Sequence, residues 1–180
     1  MSSYCEYSKG HPYHGPYHDK EYGFPIKSDN LLFGRLVLEM NQAGLSWLTI
    51  LKKKNSFKKA YSDFDVLQVA KYGDRQRNRL LNDAGIIRNR LKIDAAIFNA
   101  QQILKMQKDF GSFYKWLCAN HPKSKSEWVK LFKKYFKFTG GEITGEFLIS
   151  TGFLPGAHDE SCPIYSKIIK KNPKWLEIQQ

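Results

Sequence analysis

Residues 89–111, NRLKIDAAIFNAQQILKMQKDFG, carry apolar side chains at helical spacing over the longest stretch of the chain. Ile93, Ala96, Ile97, Ala100, Ile103 and Leu104 fall on one face of that helix. A second pattern, SDNLLFGRLVLEMNQAG, starts at a cap (Ser28 or Asp29) and ends near Gly44. DVLQVAKYG has an aspartate cap and a terminal glycine, and SKSEWVKLFKKY opens on Ser124 and Glu127 in capping-box spacing. EITGEFLISTG reads as a further short helix, and Cys118 in FYKWLCANH lies on an apolar helical face, where burial is expected. No strand alternation runs long enough to propose a sheet. The chain therefore reads as one all-α domain over residues 1–180, with irregular ends at about 1–27 and 153–180.

Length and charge narrow the function. A chain of 180 residues is large enough for one domain with a sizeable core, and 42% hydrophobic residues mark a globular protein. No apolar run approaches the roughly 18 residues that would span a bilayer. The start, MSSYCEYSKG, lacks the pattern of a secretory signal, so a cytoplasmic protein is expected. Lys and Arg total 29 against 17 Asp and Glu, a net charge of +12. That imbalance favours a polyanionic partner, nucleic acid first. The basic residues are spread through LKKKNSFKK, RNRLK and LFKKYFK, which places them on a folded body and not on a tail.

The ends carry unusual residues. They hold His11, His14, His18 and His158, together with Cys5 and Cys162, two of only three cysteines. HDESC sets His158 and Cys162 at a spacing that suits one metal ion, and Cys5 with His18 can complete the set. Two thiolates and two imidazoles suit tetrahedral zinc. Spacing alone leaves open whether these are ligands or unrelated surface residues.

Four fragments in order, YHDKEYGFP at 17–25, LEMNQAGLSWLTILKKK at 38–54, NDAGIIRNRLKI at 82–93 and KYFKFTGGEITGEFLISTGFL at 134–154, resemble the DNA-3-methyladenine glycosylase I family. The resemblance runs from about residue 5 to 165 and implies a helix-hairpin-helix DNA glycosylase domain. It also implies one structural zinc per chain, held by Cys5, His18, His158 and Cys162, which would staple the two ends together. The hairpin matches KFTGGEITG, between helices ending near Phe138 and starting near Glu142. Gly140 and Gly141 are expected to turn tightly and offer N–H groups to a DNA phosphate, with Lys133, Lys134 and Lys137 beside them. DAGIIRNRLK, with Arg88, Arg90 and Lys92, is a second candidate DNA-facing loop. The QAGL turn at 42–45, with Gly44 and Leu45, is the expected wedge beside the pocket.

The resemblance assigns Glu39 as the base-contacting and catalytic glutamate and Trp47 and Tyr17 as pocket aromatics. Tyr7 stands where the family usually has tryptophan, and can still stack. His14 stands where it commonly has a second tyrosine. A cationic 3-methyladenine nucleotide suits aromatic faces plus a carboxylate. It is also a good leaving group, so monofunctional hydrolysis to an abasic site is expected. The aspartate that many helix-hairpin-helix glycosylases place beyond the hairpin is absent from the family, and Asp159 is expected to orient a histidine or face solvent. The resemblance implies double-stranded DNA containing alkylated bases as the partner, and no membrane and a monomeric chain are expected. Two other readings remain: a broader alkylpurine glycosylase, and a zinc-stabilised DNA-binding module without catalysis.

Overall fold

The computed structural model describes residues 3–178, so residues 1, 2, 179 and 180 of the expected 1–180 domain lie outside the described residues. The helices in order are α1 (Tyr4–Tyr7), α2 (His14–Lys20), α3 (Asp29–Gln42), α4 (Trp47–Ala60), α5 (Val66–Ala70) and α6 (Asp74–Leu81). They continue with α7 (Arg90–Phe110), α8 (Phe113–Asn120), α9 (Lys125–Tyr135), α10 (Gly141–Ser150) and α11 (Pro163–Ile169). Short 3-10 turns occupy Ser62–Phe64 and Lys174–Ile178. Among the described residues there is no strand, and no helix is long and apolar enough to cross a membrane.

The caps fall where residue chemistry puts them. Ser28 and Asn89 accept from the third backbone N–H of α3 and α7, at 3.4 and 3.1 Å. Gly111, at φ 89°, ends α7 in the left-handed conformation that glycine adopts without strain. Ser124 and Glu127 form the reciprocal capping box of α9.

Helix α3 is the axis of the molecule. It is buried at every position from Leu32 to Asn41, with α4, α5, α7, α8 and α10 around it. Its first turn carries a cross-chain tie: the Asp29 carboxylate accepts from the backbone N–H groups of Phe113 and Tyr114, at 2.8 and 3.0 Å, and from Gln107 Nε2 at 2.8 Å. One carboxylate thus caps α8 and holds the end of α7 against the start of α3. On the other side Phe132 packs on Phe136 and Phe147, with centroids 5.1 and 5.6 Å apart, and locks α9 to α10.

Three expectations need correction. The ends are only partly irregular: α1, α2 and α11 are helices of four to seven residues, too short to show periodicity, while 21–28 and 151–162 carry no helix. Pro16 is tolerated because it lies in the first turn of α2, where its missing N–H has no intrahelical role, and Pro163 opens α11 for the same reason. The hairpin, Phe136–Gly140, does not turn on its glycines. The left-handed residue is Phe138, at φ 60°, while Gly140 caps α10 at φ −69°. Cys118 is half-buried rather than buried, packed at the margin of the core.

Asp29→Ala removes three hydrogen bonds to a charged acceptor and should lower unfolding stability by about 2–4 kcal/mol. The denaturant midpoint checks this, with far-ultraviolet circular dichroism expected to stay helical.

Candidate functional site

A cleft of about 160 Å³ is lined by Tyr4, Tyr17, Tyr22, Glu39, Gln42, Trp47 and Glu146. That volume is on the scale of a cavity that admits a single aromatic ring system. Helix α3 supplies Glu39 and Gln42, α4 supplies Trp47 from its first turn, and α10 supplies Glu146. The three tyrosines come from the N-terminal arm. Tyr17 meets Trp47 at 5.3 Å between centroids and 60°, and Tyr22 meets Tyr4 at 5.3 Å and 80°. The walls are therefore aromatic edges and faces, which suit a flat, positively charged ring.

Glu39 lies in the cleft with 3% exposure, and among the described residues none donates a hydrogen bond to it. Burial pushes its carboxyl up to about 8; the neighbouring Arg35 opposes this, and Glu146 adds to it. Arg35 is committed elsewhere. It donates to the Tyr17 hydroxyl at 3.2 Å, to the Ser150 carbonyl at 3.3 Å and to Glu21 at 3.3 Å. Its guanidinium also sits 5.0 Å from the Tyr17 ring centroid. Trp47 Nε1 is buried with no partner, a second unsatisfied polar group on the cleft wall.

Behind the cleft, Cys5, His18, His158 and Cys162 place their donor atoms within 4.8 Å of one another. Sulfur-to-nitrogen separations are 3.7 Å for Cys5–His158 and Cys162–His18, and 3.8 Å for Cys162–His158. Zn–S of about 2.3 Å and Zn–N of about 2.0 Å in a tetrahedron require about 3.6 Å, so the donors fit a zinc ion. Each imidazole has its far nitrogen engaged. His158 Nε2 donates to the Tyr22 carbonyl at 2.8 Å, and His18 Nδ1 meets Asp19 at 2.7 Å. Those contacts turn the other nitrogens toward the sulfurs.

Several site residues differ from expectation. Tyr7 is 52% exposed and outside the cleft, packed 5.1 Å from His14. It follows Tyr4 by three residues on the same side of α1, with the two rings 6.4 Å apart, so Tyr4 lines the cleft and Tyr7, one turn further along, lies outside it. His14 does not face the cleft either; its Nδ1 meets the Tyr4 hydroxyl at 2.9 Å and so orients a wall. Asp159 is exposed, one of the two outcomes expected for it, and Asp19 is the aspartate that meets a histidine. Tyr4, Tyr22 and Glu146 were not read from the sequence, and Gln42 only as the start of the QAGL turn. Tyr4 and Tyr22 had a signal, since both lie in the arm that carries Cys5 and His18.

Lys92 is buried and does not face outward. It donates to the carbonyls of Asn41 and Ala43, at 2.9 and 2.7 Å, and its Nζ lies 5.8 Å from the Phe138 ring. Burial alone lowers its pKa. It thereby ties the turn after α3 to the hairpin after α9. Asn99 of α7 grips the hairpin through both the N–H and the carbonyl of Lys137, at 2.8 and 3.0 Å. Gly44 (φ 79°), Leu45, Arg88 and Arg90 are exposed, as are Lys133, Lys134, Lys137 and Gly140; Gly141 is half-buried. A Cβ at Gly140 or Gly141 would meet no protein atom within 4 Å.

The buried acid has a measurable signature. Its ordinary value of 4.5 rises to about 8 on folding, so below pH 4.5 it is neutral in both states. Between those values the unfolded chain ionises and the folded one resists, and stability falls as pH rises. Glu39→Gln removes that slope. Its melting temperature should match the unmodified protein near pH 4.5 and exceed it by on the order of 5 °C at pH 8.5, read by thermal denaturation across that range.

A sequence model of the family described as methyladenine glycosylase matches residues 7–165. DNA-3-methyladenine glycosylase 1 of Escherichia coli (strain K12) is 33% identical, over 89% of this chain and 96% of that protein. The DNA-3-methyladenine glycosylase of Haemophilus influenzae is 32% identical, over 91% and 98%. Among solved structures, a tyrosine-to-phenylalanine variant of 3-methyladenine DNA glycosylase I in complex with 3-methyladenine superposes with a TM-score of 0.81 at 31% identity, covering 91% of this chain and 97% of that one. The enzyme from Staphylococcus aureus superposes at 0.80 and 32%, covering 89% and 95%.

Proposed function

The chain belongs to the methyladenine glycosylase family, and on that premise we propose that its aromatic cleft is where 3-methyladenine is held during excision from alkylated DNA. The protein is a DNA glycosylase of base-excision repair. It hydrolyses the bond between the damaged base and its sugar, leaving an abasic site in a monofunctional reaction. The observation that carries the site assignment is Glu39: a carboxyl buried among aromatic rings with no protein donor.

Such a group costs stability unless a ligand completes it. Adenine methylated at N3 and still attached to sugar is cationic and presents an amino donor. Its arrival would lower the pKa of Glu39 and restore the carboxylate. Guanine offers a carbonyl at the corresponding position and would leave the carboxylate without a proton to share. Tyr17 and Trp47 supply the stacking faces, with Tyr4 in place of Tyr7.

DNA would approach over α9 and α10, read here as a helix-hairpin-helix. Bare Gly140 and Gly141 admit a phosphate to the N-terminus of α10, with Lys134 and Lys137 alongside. Leu45 and Phe138, both exposed and drawn together through Lys92, suit a wedge that supports the extruded nucleotide. We read residues 1–180 as a single, monomeric domain stapled by structural zinc at Cys5, His18, His158 and Cys162. A DNA substrate and thiol ligands both call for the cytoplasm. The zinc performs no chemistry in this reading. It fixes the arm that carries Tyr4, Tyr17 and Tyr22.

Glu39→Gln should weaken binding of free 3-methyladenine by about tenfold to a hundredfold while duplex affinity stays unchanged. Chromatographic separation of 3-methyladenine and 7-methylguanine released from alkylated DNA should show the native preference for the former narrowing in the variant. Equal release of both bases by the native enzyme would reject the reading. Metal analysis should find about one zinc per chain, lost in the Cys5→Ser, Cys162→Ser double variant, which should also melt lower. Unchanged metal content in that variant would remove the staple.

A further inference from the structure

The cleft contains a second carboxyl, and the reading of Glu39 as the base contact leaves it without a task. Glu146 stands on α10, in the second turn after the hairpin, and lines the same cleft. It is half-buried where Glu39 is buried, so it stands nearer the solvent side. The Tyr22 hydroxyl donates to one of its oxygens at 3.3 Å, and among the described residues nothing bonds the other. The nearest cation on its own side, Lys125, pairs with Glu142 at 3.5 Å. Among the described residues no basic side chain lines the cleft.

Charge moves during the reaction. The glycosidic C–N bond breaks with both electrons going to the base, which leaves as neutral 3-methyladenine. The positive charge passes to the sugar, shared between C1′ and the ring oxygen. A carboxyl deep in the cleft is matched to the charge before cleavage. One nearer the opening, on the helix that starts at the DNA-facing hairpin, is matched to the charge after it.

We propose that Glu146 is a catalytic residue of this enzyme, its free carboxylate oxygen stabilising the sugar cation and orienting the water that attacks it. The water oxygen bonds to C1′, its proton passes to the Glu146 carboxylate, and that proton then leaves to solvent. The products are the neutral base and an abasic sugar bearing a hydroxyl at C1′, so atoms and charge balance without a further reactant. The Tyr22 hydroxyl holds the carboxyl in place and leaves one oxygen for the water. Burial raises the Glu146 pKa, the Tyr22 hydroxyl and Lys125 draw it back, and Glu142 adds to the rise. The Glu39 carboxyl and the Tyr4 and Tyr17 hydroxyls are the other titratable groups that share the cleft with it. An arriving cationic nucleotide shifts both carboxyls toward their ionised forms.

The inference rests on the assignment of the cleft to the damaged base, and the experiment separates the two. Single-turnover excision from alkylated duplex DNA is measured for native enzyme, Glu146→Gln, Glu146→Asp and Glu39→Gln, with free 3-methyladenine affinity and melting temperature for each. Glu146→Gln should slow excision by about tenfold to a hundredfold, the low end of general-base effects because the cationic base leaves readily. Its affinity for free 3-methyladenine should stay within about twofold of native, and its melting temperature should not fall. Glu146→Asp, which restores a carboxylate, should recover part of the rate. A rate loss smaller than about tenfold in Glu146→Gln overturns the proposal, as does a loss matched by an equal drop in free-base affinity. Should Glu39→Gln keep native affinity for the free base, the Glu39 reading fails, and the Glu146→Gln rate still decides this one.

Discussion

The Arg35 guanidinium is the charge around which the site is assembled. It is almost fully buried on α3, and its bonds reach Tyr17 and Glu21 of the N-terminal arm and the Ser150 carbonyl of α10. Two segments far apart in sequence, the N-terminal arm and the end of α10, are held against one helix by one side chain. A buried guanidinium is tolerated only where its donors are met, and here an acid, a phenol and a carbonyl meet them. The consequence reaches the neighbouring turn. Because Arg35 is engaged with these groups, its field at Glu39 does not overcome desolvation, and Glu39 remains a raised, unpartnered acid.

The cleft and the four-residue donor cluster are two sides of the same backbone. Tyr4 precedes Cys5, and Tyr17 precedes His18, so each ligand on the arm fixes the aromatic residue beside it. The Tyr22 carbonyl accepts from His158, while its hydroxyl donates to Glu146. Loosening the cluster would therefore move three walls of the cleft at once. This gives a physical reason for a donor cluster that could hold a metal in a chain that already has a continuous core.

Stability is spent at this site in a recognisable way. Among the described residues no donor meets the buried Glu39 carboxyl and no acceptor meets Trp47 Nε1, and both sit where a core would normally satisfy or exclude them. The surrounding structure over-determines them: α3 is enclosed on every side, and Lys92 and Asn99 clamp the two loops beside the cleft. Glu39→Gln is accordingly a substitution expected to strengthen the fold and weaken the function.

The sequence by itself determined the helices long enough to show a period, and their caps. Ser28, Asn89, Gly111 and the Ser124–Glu127 box act through neighbours a few residues away, so local chemistry is enough to place them. Residue type and spacing offered Cys5, His18, His158 and Cys162 only as possible ligands, and the family resemblance joined them into one set and assigned Glu39, Tyr17 and Trp47. What only the tertiary structure decided depends on direction and on distant partners. Tyr4 lines the cleft and Tyr7, one turn further along the same side of α1, lies outside it, and four residues are too few for a periodicity to reveal the helix. Lys92 reads as a surface cation until the carbonyls of Asn41 and Ala43 are seen to enclose it. Glu146 reads as the polar face of a short helix until packing sets it in the cleft with Glu39 and Tyr22, contacts made across more than a hundred residues of chain.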